Sequence, residues 1–211
     1  MWDYRYDPDD SFIVFSLESP DGDNGYPGSL NASVKYTVTD NNELKLEYRG
    51  KIDKATIFSP TNHIYFNLAG HQCSTPDHLI KLYCSHHIPF DRNMHSTGKI
   101  LPITESLLKL TQDYDHYFVA DNKGFCLIAE ISEGNSGTGM KVYTDQPGMV
   151  LYATNELIGV KGKNNADYGY RGWFCVEPRS FPICPSQKLD AESILQPEDE
   201  YYQKTVLKFY I

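Results

Sequence analysis

Ser59-Pro60-Thr61-Asn62-His63-Ile64-Tyr65-Phe66-Asn67-Leu68 is the first stretch of the chain that offers chemistry. In extended backbone, side chains alternate, so His63, Tyr65 and Asn67 share one face and Ile64, Phe66 and Leu68 the other. An imidazole, a phenol and an amide in a row supply donors, acceptors and an aromatic surface, as a wall around a hydroxylated ligand must. A half-exposed antiparallel strand with a polar outer face has the same pattern, and alternation alone does not separate the two. Further on, Trp173, Cys175 and Glu177 share one face of an apolar segment, where partial burial would raise the carboxylate toward the range of a general base. The competing reading is a glutamate that ends a strand before Pro178 with its side chain in water. His63 equally fits a structural histidine, and Asp115 a turn or cap residue.

These residues have to be held by strands. Period-two alternation marks Phe12–Leu17, Ser33–Thr39 and Leu44–Tyr48, the last two joined by the turn Asp40-Asn41-Asn42. Further strands are expected at Leu79–Cys84, Gly124–Ile131, Met140–Thr144, Met149–Ala153, Trp173–Glu177 and Thr205–Tyr210. Asp21-Gly22, Asn24-Gly25 and Pro27-Gly28 mark a structured loop, and Gly134-Asn135-Ser136-Gly137 a tight turn. Glu105–Tyr114 is the one helix-like window, with a short stripe of Leu107, Leu108 and Leu110. The acidic stretch Asp190–Tyr201 is expected to run over the surface before the last strand. An all-β sandwich forming one domain over residues 1–211 is therefore expected.

With 40% hydrophobic and 22% charged residues, the chain has the composition of an ordinary soluble protein. A net charge of −9 with scattered Lys and Arg argues against nucleic acid as a partner. The acidic opening and the lack of an eighteen-residue apolar run argue against a membrane. Five cysteines (Cys73, Cys84, Cys126, Cys175 and Cys184) at irregular spacing suggest reduced thiols and a cytoplasmic protein. His71, Cys73, Cys84, His86 and His87 match no familiar zinc spacing, so no metal is expected.

The Ser59–Leu68 string resembles, without a gap, the active-site signature of the aldose 1-epimerase (galactose mutarotase) family. Ser19-Pro20-Asp21-Gly22-Asp23-Asn24-Gly25-Tyr26-Pro27-Gly28 is similar to that family's Ser-Pro-Asp-Gly loop, and Tyr114-Asp115-His116-Tyr117-Phe118 to its Asp-His-x-Phe segment. Tyr143–Gly148 with Tyr152 and Asn155, then Phe174-Cys175-Val176-Glu177-Pro178, continue the likeness in order. The resemblance implies the galactose mutarotase-like supersandwich. It also implies an isomerase acting on free aldoses such as galactose or glucose, with no cofactor. His63 would be the general acid on the ring oxygen and Glu177 the base at the anomeric hydroxyl. Asp115, Asn62 and Tyr65 would bind substrate.

The chain departs from the family in three ways. It opens without the family's first strands, and so without an arginine beside an asparagine and the histidine of a Leu-His-Gly-Gly string. It lacks a Gly-Thr-x-Phe-Asp segment between His63 and Asp115, and it carries Val150 where a sugar-binding glutamine is expected. The missing contacts would have to come from elsewhere, for example Arg49, Arg92, His86 or a neighbouring subunit. The alternative is a non-catalytic module that binds carbohydrate or a protein. A sheet edge exposed by missing strands is expected to rearrange, pair as a homodimer or leave the fold marginal.

Overall fold

Strand-and-turn chemistry accounts for nearly all of the described chain. The computed structural model describes residues 1–7, 9, 11–70, 77–93, 95–111, 113–153, 158–169, 171–182 and 193–211. Asn155, His71, Cys73, Cys184 and the start of the acidic stretch at Asp190 lie outside the described residues.

The strands are β1 (Asp3–Asp7), β2 (Phe12–Ser19), β3 (Leu30–Thr39), β4 (Glu43–Ile52), β5 (Thr56–Ile57), β6 (His78–Leu82), β7 (Cys84–Ile88) and β8 (Leu101–Pro102). They continue as β9 (Leu107–Lys109), β10 (Tyr114–Ala120), β11 (Cys126–Glu133), β12 (Gly139–Thr144), β13 (Gly148–Ala153), β14 (Cys175–Arg179), β15 (Ile194–Leu195) and β16 (Tyr201–Tyr210). Nine form one antiparallel sheet in the order β1-β2-β3-β4-β16-β12-β11-β6-β9, and five form a second, β14-β13-β10-β7-β8. β5 and β15 make a separate pair.

The expected turns are present. Asn42 takes positive φ (58°) between β3 and β4, a conformation asparagine tolerates well. In the β11–β12 turn, Glu133 caps the bend by accepting bonds from the Asn135 and Ser136 backbone amides at 3.0 and 2.6 Å. The loop after β2 carries a short 3-10 turn, Asp23–Gly25, and the Asp21 carboxylate accepts the Gly28 amide at 2.6 Å.

Register explains the core. Leu108, Ile80, Ile131, Met140 and Phe209 stand opposite one another in turn across five neighbouring strands, giving one apolar row on the inner face of the large sheet. Phe118, Met149, Leu151 and Val176 from the small sheet belong to the same buried cluster. The two sheets thus close over a shared core, a sandwich as expected. Phe174 is fully buried in it, a burial worth about 1.5–3 kcal/mol relative to exposure.

Two expectations are corrected. The Glu105–Tyr114 window is not helical: Leu107 and Lys109 point outward around a half-buried Leu108, the period of a strand, and β9 pairs with β6. A stripe this short cannot offset the cost of helix nucleation when a sheet edge offers it hydrogen bonds. The acidic stretch does not run wholly over the surface. Ser193 and Leu195 are buried, and β15 is held by its ladder to β5. Among the described residues, no helix is long and apolar enough to cross a membrane.

Candidate active site

The site grows from one face of the small sheet. Along it, Ile88 faces Tyr117, Tyr117 faces Val150, and Val150 faces Glu177. The neighbouring row runs Asp115, Tyr152, Cys175. A carboxylate at the end of an apolar row loses water on that side, and Glu177 is only 5% exposed. Burial accordingly pushes the Glu177 carboxyl above its ordinary range. The charges of His63 and Arg179 pull it back, and that of Asp115 adds to the rise.

His63 comes from a segment that is extended but not a regular strand, which refines the expectation from alternation. The segment is fastened at both ends. Phe66 and Phe174 exchange both backbone hydrogen bonds, at 2.8 and 3.0 Å, and the Thr61 hydroxyl donates to the Pro178 carbonyl at 2.8 Å. His63 lies three residues before Phe66 and Glu177 three after Phe174, so antiparallel register sets them across from each other. His63 Nε2 sits 3.1 Å from Glu177 Oε1. The ring N–H line misses that oxygen, which is buried and accepts no hydrogen bond. On the other side of the ring, Nδ1 lies 3.4 Å from Cys175 Sγ. Burial first, and the Glu177 charge second, push the Cys175 thiol well above its ordinary value, so it keeps its proton and is the donor to Nδ1. That leaves the imidazole proton on Nε2, facing the site.

Aromatic rings frame this pair. The His63 ring lies 5.0 Å from Tyr65 and 5.6 Å from Tyr152, and Trp173 packs edge-on to Tyr65 at 4.7 Å and tilted against Tyr152 at 5.2 Å. Tyr65 is half exposed, while Ile64, Phe66 and Leu68 pack on the core, as alternation implied. Asn67 donates its side-chain amide to the Gly172 carbonyl at 3.0 Å. A cleft of about 510 Å³ adjoins this rim between Tyr65, Asn67, Tyr168 and Trp173, although His63 and Glu177 do not line it.

The sequence-predicted residues thus divide. His63, Tyr65 and Glu177 come together, and Asp115 stands one strand beyond Tyr152, within electrostatic reach of Glu177. Asn62 does not join them at the surface: it is 4% exposed, and its side-chain amide oxygen accepts from the Ile64 backbone N–H at 3.4 Å. Arg49 is engaged by Glu200 at 3.2 Å and lies over the Tyr202 ring. Arg179, two residues after Glu177 on the same strand face, is the arginine whose charge reaches Glu177. The contact of Cys175 with His63 and this role of Arg179 were both missed. The only available signal was their parity with Glu177 along β14.

An antiparallel β-sandwich carrying a buried carboxylate, an imidazole and an aromatic rim defines the class of mutarotase-like sandwich proteins. The aldose 1-epimerase family model matches residues 1–208, and the chain belongs to that family. It is 35% identical to galactose mutarotase from Homo sapiens over 94% of this chain and 63% of that protein. It is 28% identical to aldose 1-epimerase from Escherichia coli over 95% of this chain and 64% of that protein. The chain therefore spans a little under two thirds of the length of these relatives. The crystal structure of an aldose epimerase homologue from C. elegans superposes with a TM-score of 0.89 at 26% identity, covering 99% of this chain and 68% of that one. Galactose 1-epimerase from Lactobacillus acidophilus shares the fold, with a TM-score of 0.84 at 23% identity.

Proposed function

We propose that the protein interconverts the α and β anomers of a free aldose, with galactose and glucose as the substrates to try first. The observation that carries this reading is the 3.1 Å approach of His63 Nε2 to a buried Glu177 carboxylate whose affinity for a proton is raised. An imidazole and a buried carboxylate side by side suit a reaction that gives one proton and takes another.

The sugar would enter between the two groups. Glu177 removes the proton from the anomeric hydroxyl while His63, as the imidazolium, passes its Nε2 proton to the ring oxygen and is left a neutral imidazole. The bond from C1 to the ring oxygen breaks and an open-chain aldehyde forms. Rotation about the C1–C2 bond presents the other carbonyl face, and the reverse transfers close the ring with no net change in protons. Asp115 would accept bonds from sugar hydroxyls, and Tyr65 and Trp173 offer ring surface to the apolar face of the pyranose. In this reading Asn62 supports the loop that carries His63 rather than touching sugar, since its side chain is buried.

Polarimetry or NMR of freshly dissolved α-D-galactose and α-D-glucose tests the proposal, with His63→Ala and Glu177→Gln beside the parent. Equilibration faster than buffer that disappears in both variants is the expected result. Equilibration at the buffer rate by the folded parent would sink it.

A further inference from the structure

His63, Cys175 and Glu177 have a property that an acid–base pair does not need. One imidazole nitrogen, one thiol sulfur and one carboxylate oxygen all lie within 4.8 Å of one another. Nitrogen, sulfur and oxygen donors in a set of three, with a side left open, are what a borderline-soft divalent cation takes, whereas magnesium and calcium prefer all-oxygen shells. An independent observation points the same way. Glu177 Oε1 is buried, accepts no hydrogen bond and is turned toward the imidazole 3.1 Å away, so a lone pair points to where a cation would sit.

We infer that His63, Cys175 and Glu177 form a reversible site for a zinc-class divalent cation, and that its occupancy shuts the catalytic centre. Bond lengths of about 2.0–2.3 Å at tetrahedral angles place donors about 3.3–3.7 Å apart. The three groups therefore have to close by about an ångström. His63 can make that movement, because its side chain is half exposed while Cys175 and Glu177 are fixed in β14. The ring now bridges its neighbours, with Nδ1 toward sulfur and Nε2 toward carboxylate. On binding, one nitrogen takes the metal and the other is freed. The thiol loses its proton to solvent as the metal–sulfur bond forms, so each cation bound releases one proton from sulfur. With both His63 and Glu177 on the metal, neither can exchange a proton with sugar. This inhibitory consequence rests on the acid–base function proposed above; the metal site does not.

The experiment begins with protein dialysed against chelator and titrated with Zn²⁺ in competition with a chromophoric chelator, and with Co²⁺ followed by absorption. One Zn²⁺ per chain is expected, with a cobalt–thiolate charge-transfer band, and Mg²⁺ should not compete. Cys175→Ser should abolish the band and weaken Zn²⁺ binding more than tenfold. His63→Ala, at a half-exposed position, should weaken it comparably and serves if the β14 variant does not fold. Zn²⁺ binding of parental strength in either folded variant, or no saturable binding by the parent, overturns the site. Zinc-saturated protein that still equilibrates anomers at the metal-free rate overturns the inhibition. Metal-free protein without anomerase activity would refute the proposed function, while the zinc titration would still decide the site.

Discussion

The Cys175 thiol lies 3.4 Å from His63 Nδ1, on the opposite side of the imidazole from Glu177. A protonated thiol there selects the tautomer with its proton on Nε2. Replacing Cys175 by Ala removes the donor and releases the ring to either tautomer. One neutral hydrogen bond is worth about 1 kcal/mol, so kcat is expected to fall about fivefold, with a displaced pH–rate profile. Cys175→Ser, which keeps a donor, should restore most of both. Nitrogen NMR of the imidazole reads the tautomer directly, and an unchanged tautomer in Cys175→Ala would refute the assignment.

Loss of either proton-transfer group should cost about 10²–10⁴-fold in anomerisation. In the proposed mechanism His63 and Glu177 act as a unit across one bridge, so the double variant His63→Ala/Glu177→Gln should be little slower than the worse single variant. Rates from polarimetry that multiply instead would mean that the two groups act independently.

Two carboxylates should give stability slopes of opposite sign. Glu177 is raised above its ordinary value of 4.5, so the folded state binds more protons than the unfolded state just above that pH. Its burial therefore costs stability as pH rises through that window, and Glu177→Gln should melt higher than the parent near pH 7. The two should converge below pH 4.5. Glu133, lowered to about 2 by the Ser136 and Asn135 backbone amides, does the reverse. Its contribution is present above its ordinary 4.5 and is lost as pH falls toward 2. Glu133→Gln should accordingly melt below the parent near pH 7 and approach it in acid. Thermal melts of both variants across pH would check the signs.

Tyr65 should affect affinity rather than turnover. Its ring is half exposed and leans on His63 and Trp173, so Tyr65→Ala leaves the core intact. Loss of an aromatic face worth about 0.5–1.5 kcal/mol should raise KM several-fold with a smaller change in kcat. A change confined to kcat would place Tyr65 in orienting His63 instead.

Gly148 tests the frame under the site. A Cβ at this position would collide with the Phe118 carbonyl oxygen and lie 2.6 Å from the fully buried Tyr117 ring. Gly148→Ala should cost about 1–3 kcal/mol, read as a lower denaturation midpoint by circular dichroism. Tyr117 lies in the same cross-strand row as Glu177, so anomerisation should fall as well.

Much of this was legible in the residues themselves. Alternation located most long strands and the faces of Ile64, Tyr65 and Phe66, because period two is a local property. Glu177 was legible as a candidate because its neighbours on β14 are apolar. Pairing across distance was not legible. The Phe66–Phe174 bridge that brings His63 to Cys175 and Glu177 leaves no mark in either segment alone, and neither does the buried turn of Asn62. Leu107–Lys109 misled because three leucines fit a helical stripe when their β6 partner is out of view.

The placement of β16 between β4 and β12 bears on how the molecule is made. The strands β1 to β4 form a meander, and β12, β11, β6 and β9 form another block, and among the described residues the two are joined through β16. During vectorial synthesis both blocks emerge before the strand that unites them. Until Tyr201–Tyr210 leaves the ribosome, β4 and β12 each present an open edge, and a growing chain must keep those edges apart from other chains. β16 is thus the keystone of the large sheet, whose two halves can join only once that strand has been made.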